Sequence, residues 1–104
     1  MKEIKAFVHR SRAADIVHGL LQAGFRQVSL VDVKATLEAV TPDDAGYSVE
    51  FGEPVVSEVK IEVMCADAEL DRAIGIVRRE GRSRPPSGWI YVTDLEASMS
   101  IDAD

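Results

Sequence analysis

The sequence predicts an α+β fold, a ferredoxin-like β-α-β-β-α-β sandwich, and three observations carry that prediction. Val59, Ile61, Val63 and Cys65 alternate with Lys60, Glu62 and Met64, the period of two that marks a half-buried strand. Lys2–Val8 and Gln27–Lys34 also read as strands, and apolar stripes at helical spacing follow the first and the third strand. A last run rich in β-formers, Trp89-Ile90-Tyr91-Val92, completes the second of two split β-α-β units.

In the first strand Ile4, Ala6 and Val8 share one face and Glu3, Lys5 and Phe7 the other. Ser11 is placed to cap a helix whose stripe is Ala13, Ile16, Val17, Leu20 and Leu21, and Gly24 supplies a left-handed stop. Strand two is apolar on both faces at Val28, Leu30, Val31 and Val33, so it needs cover on both sides. A long acidic loop from Ala35 to about Ser57 follows, with a Pro, Asp and Gly turn at Thr41–Gly46, and is expected to be mobile without a ligand. Asp67 is placed to cap the second helix, with Leu70, Ala73, Ile74 and Val77 on its stripe and Gly81 at its end. The tail, Thr93 to Asp104, has room for a short turn and a fifth strand. Both helices must pack on one face of the sheet, which leaves Phe7 and half of strand two for self-association to cover.

At 104 residues the chain has room for one domain, residues 1–104, burying roughly two thirds of its unfolded surface. A composition 46% apolar argues against disorder, and a net charge of -6 against sequence-independent nucleic-acid binding. No apolar run approaches the roughly 20 residues needed to span a bilayer, and Met1-Lys2-Glu3-Ile4 shows no signal-peptide core. The expectation is a cytoplasmic protein that neither inserts into membranes nor binds nucleic acid. The single cysteine, Cys65, lies on an apolar face and reads as an inert buried thiol.

One constellation points to a ligand. Arg78, Arg79, Arg82 and Arg84 fall within seven positions of an acidic chain, followed by Gly88 and Trp89. Guanidinium groups and free backbone amides in such a turn can grip a phosphate or carboxylate; the competing reading is a solvated basic loop. His9 and His18 lie on different elements, so no pair has metal-ligand spacing. No serine has a histidine in a partner position, and an enzyme is not expected.

The opening Met-Lys-x-Ile-x-Ala-Phe-Val, Gly24-Phe25, the run Val28-Ser29-Leu30-Val31-Asp32-Val33-Lys34 and Val59-Lys60-Ile61-Glu62-Val63 together resemble the PII signal-transduction proteins. The resemblance implies a homotrimer of ferredoxin-like subunits that senses small effectors in clefts between neighbours and regulates an enzyme or transporter through the long loop, Ala35 to Ser57. Carried over by position, Ser29 matches the hydroxyl residue that contacts adenine, with Val28 beside it, and Gly88 matches the last glycine of the phosphate-binding turn. Lys34, Lys60 and Glu62 match as strand residues. Arg82 and Arg84 lie in that turn but do not reproduce its T-G-x-x-G-D-G-K pattern, and Trp89 follows it. Where the family has G-F-G-R-Q, serving magnesium-ATP and 2-oxoglutarate, this chain has Ala35-Thr36-Leu37-Glu38-Ala39. Phe51 stands at the position of the tyrosine that one branch uridylylates, and Ser98–Asp102 replaces a tail with paired arginines. The implied effector is therefore an adenine nucleotide (AMP, ADP or ATP) or another small anion. Bicarbonate is included because a carboxysome-associated branch couples it to ADP or AMP. The alternative is a ferredoxin-like trimer serving as a metal-binding or assembly module.

Overall fold

The computed structural model of the chain describes residues 1–36, 46–48, 53–84 and 88–102. Strand β1 (Lys2–His9) places Ile4, Ala6 and Val8 inward and fully or nearly fully buried. A 3-10 turn, Arg10–Arg12, leads into helix α1 (Ala13–Gln22). Ser11 does not cap that helix: its backbone N–H donates to Nδ1 of His9, 3.2 Å away, so the histidine caps the turn that precedes α1. Gly24 takes φ 96 and ends the helix as expected.

Strand β2 (Val28–Ala35) is followed among the described residues by a short β3 (Gly46–Ser48) and a long β4 (Glu53–Cys65). The expectation of an unstructured segment as far as Ser57 is corrected here. β4 begins at Glu53, and β3 pairs with its first part through Gly46↔Val55 and Ser48↔Glu53. Val55 and Val56 are strong strand formers, and β2 draws this part of the chain into the sheet by pairing Ala35 with Val56. Glu58, the residue after the expected end of that loop, is fully buried within β4. The mobility expected of Leu37–Phe51 lies outside the described residues except for Gly46–Ser48, and so does Phe51.

After β4, Asp67–Glu69 forms a 3-10 turn and helix α2 runs from Leu70 to Gly81. Asp67 is not a cap either; its carboxylate binds the N-terminal ammonium at 2.6 Å, which holds its pKa below the usual value. Gly81 ends α2 without a positive φ, since Gly24 alone among the described residues has one. A Cβ on Gly81 would stand 3.1 Å from Cδ1 of Ile16, so this glycine makes room for α1 rather than supplying a left-handed stop. Strand β5 (Trp89–Asp94) closes the sheet, and residues 95–102 beyond it form no further strand.

The antiparallel sheet has the order β2-β4-β1-β5, which is that of the ferredoxin-like fold. Both helices lie on one face. Ile16 and Leu20 of α1 join Ala73, Ile76 and Val77 of α2 over Ile4, Ala6, Val59, Ile61 and Val63. The core therefore sits over the two central strands, while Leu30 on β2 and Val92 on β5 remain 50% and 41% exposed. Arg72 fastens the end of α1, donating to the carbonyl of Ala23 at 2.8 Å and lying over the Phe25 ring at 4.7 Å. No helix among the described residues is long and apolar enough to cross a membrane.

Candidate functional site

The turn between α2 and β5 borders a cleft of about 1240 Å³. One wall is apolar, formed by Ile74 and Val77 of α2 with Val8, Ile90 and Val92 of the sheet; the other end carries Arg78, Arg82 and Arg84. Helical spacing explains why Arg78 joins the group: it lies four residues after Ile74, on the face turned to the cleft. Arg79 projects elsewhere and pairs with Glu80 at 3.1 Å. None of the three cleft guanidiniums forms an ion pair or a hydrogen bond with another described residue. In a chain of net charge -6, three arginines converging without carboxylate partners make a local anion-attracting field. Of the four clustered arginines named from the sequence, Arg78, Arg82 and Arg84 line the cleft and Arg79 does not.

Gly88 has a structural role beside any functional one. A Cβ there would stand 3.3 Å from the carbonyl oxygen of Phe7, so the backbone enters β5 closely against β1. Trp89 sits opposite Phe7 and is 52% exposed.

The remaining predicted residues lie on the far side of the sheet path. Ser29 is opposite Glu62, and Lys60 pairs with Glu62 at 3.6 Å on the face without helices. Val28 and Lys34 alternate to the helix face, where Val28 packs against the core. Ser29, Lys60, Glu62 and Trp89 thus share the open face, whereas Val28 and Lys34 do not. β2 and β5 are separated by three strand spacings, roughly 14 Å. One chain therefore does not bring Ser29 to Arg82, Arg84 and Gly88.

The open face is mixed in character. One row across it reads Trp89, Phe7, Lys60, Val31, and the next reads Tyr91, Lys5, Glu62, Ser29. Phe7 and Tyr91 meet edge to face with centroids 5.8 Å apart. Cys65 is buried on the opposite, helix-covered face, and burial pushes its thiol pKa up. Among the described residues no group of three His, Cys, Asp or Glu side chains is placed to hold a metal ion.

No protein-family profile matches the chain. It is similar to the nitrogen regulatory protein P-II of Bradyrhizobium diazoefficiens, with 24% identity over 102 residues that cover 97% of this chain and 91% of that protein. The nitrogen regulatory protein P-II of Mesorhizobium japonicum matches to the same extent, 24% over 102 residues.

Proposed function

We propose that this chain, a divergent PII-like protein, is a non-enzymatic regulatory protein that binds an adenine nucleotide or another small anion in clefts between the subunits of a homotrimer. The observation that carries the reading is the group of three arginines, Arg78, Arg82 and Arg84, which converge on one cleft without a carboxylate among the described residues to neutralise them. Arg82 and Arg84 supply planar, permanently charged forks for phosphate or carboxylate oxygens. Ser29 and the Lys60–Glu62 pair lie on the sheet face opposite the apolar wall of that cleft, with Ser29 three strand spacings from β5. A second subunit supplies them, and the homotrimer is the assembly that the likeness to PII implies. The open face with Phe7, Val31, Trp89 and Tyr91 provides apolar surface for that contact. Residues 35–57 then carry the bound state to a partner protein, an enzyme or a transporter.

The test is a thermal-shift panel of AMP, ADP, ATP, bicarbonate and divalent metals on wild type and on the double variant Arg82→Ala, Arg84→Ala. A nucleotide at about a hundred times its dissociation constant should add roughly 2.7 kcal/mol of stability to wild type. The double variant should lose most of that gain and keep its unliganded melting temperature, since both side chains are exposed. If no anion shifts wild type at millimolar concentration, the sensor reading fails and an assembly module takes its place.

A further inference from the structure

The segment after β5 has an unused pattern. Leu95, Ala97, Met99 and Ile101 alternate with Glu96, Ser98, Ser100 and Asp102, eight residues of strict apolar and polar alternation. Such a segment buries one face when it joins a sheet. Within one chain it joins none: the backbone past Asp94 is irregular, and Met99 and Ile101 are 79% and 98% exposed.

The molecule also has a place that such a strand would fill. β5 is an outer strand, so one side of its backbone has no partner strand among the described residues. Beside that edge lies the cleft with its wall of Ile74, Val77, Ile90 and Val92 and its arginine end. We propose that the tail of a second copy of this chain pairs antiparallel with the free edge of β5, laying Met99 and Ile101 over the apolar wall. The direction follows from charge. β5 starts at the arginine turn, so an antiparallel partner brings the acidic C-terminal side of its tail toward that turn, and a parallel one carries it away.

A chain's own tail is led elsewhere. Its start is tied down by the Leu95 N–H, which donates to the carbonyl of Met1 at 3.0 Å, and Ser98 Oγ lies 4.0 Å from Sδ of Met64 on β4, away from the β5 edge. The other outer strand, β2, would present Asp32 to an acidic tail, and Asp32 is already held by Arg10 at 2.9 Å. Tail-to-edge contacts are head-to-tail, so equal copies linked this way can close a ring. This exchange shares with the trimer reading only the premise that the chain self-associates.

The test uses the full chain without nucleotide and the double variant Met99→Asp, Ile101→Asp. Both positions are exposed in the single chain, so the variant should fold as wild type does. In a dilution series followed by analytical ultracentrifugation, the variant should associate at least about tenfold more weakly, and amides of Trp89–Asp94 should exchange faster. Val92→Cys chains mixed with Met99→Cys chains under mild oxidation should give a mixed disulfide dimer; native Cys65 is buried and does not compete. Equal association and equal β5 protection in the two proteins would overturn the exchange while leaving the trimer reading intact. So would failure of the mixed dimer together with crosslinking within one chain that carries both cysteines. A wild type that is monomeric at every concentration would remove both.

Discussion

Gly24 is held at φ 96 with no atom within 4 Å of where a Cβ would stand, so a side chain there meets only backbone strain. Gly24→Ala should lose about 1 kcal/mol in urea denaturation and Gly24→Asn less, because asparagine tolerates the left-handed region. Equal stability of the alanine variant would mean that the turn relaxes to another conformation. Lys2 gives a prediction with pH. Its Nζ donates to Asp94, and that bond raises its pKa above the ordinary 10.5 although desolvation opposes it. A raised folded pKa means a contribution fully present below the unfolded value and lost as pH climbs through the folded one. Wild type should therefore be more stable than Lys2→Met at neutral pH, with the gap closing above about pH 10.5 in melting curves. A gap that persisted undiminished at high pH would assign the difference to packing of the lysine stem. Single residues were also where the sequence was hardest to read. Ser11 and Asp67 have the chemistry of caps, but caps compete with any nearer partner, and here His9 and the N-terminal ammonium are nearer.

Across the sheet, Leu30, Ile61, Ala6 and Ile90 form one row on the helix-covered face. Ile61 and Ala6 are fully buried under the helices while Leu30 is 50% exposed, so the same kind of truncation should have unequal costs. Ile61→Ala should destabilise by about 2–5 kcal/mol and Leu30→Ala by less than about 1 kcal/mol, measured by denaturant midpoint. Comparable losses would show that the β2 edge is covered in solution, as it would be in an oligomer. Period-two alternation made β1 and the second half of β4 legible, because their inner residues lie under helices. It failed for the first half of β4, where Pro54, Val55, Val56 and Ser57 break the alternation and pairing with β2 and β3 fixes the strand instead. The tail shows the reverse case, a perfect alternation at Leu95–Asp102 with no strand beside it in the same chain. Pattern reports that a segment can join a sheet, and the sheet it joins is a property of the surroundings.

For the molecule as a whole, the open face decides between a monomer and an assembly. Phe7 stands in its middle, opposite Trp89 on one side and Lys60 on the other. In the trimer reading Phe7→Asp places an unpaired carboxylate in a contact and should lower the mass seen by light scattering from three chains to one. The helix-side core lies on the opposite face, so the variant should keep its far-ultraviolet circular dichroism. A variant still associated at micromolar concentration would place the contact elsewhere. At this scale the arginine turn was legible from the spacing of its residues, and the ferredoxin-like element order already implied that the strand with Ser29 and the last strand lie at opposite edges of the sheet. That separation has a genetic consequence. If each cleft takes Ser29 from one chain and Arg82 with Arg84 from its neighbour, two loss-of-function alleles, one damaged at each half, complement one another. Co-expressed in equal amounts and assembled at random, Ser29→Trp chains and Arg82→Ala, Arg84→Ala chains should restore about a quarter of the clefts to full composition. Either allele expressed alone restores none.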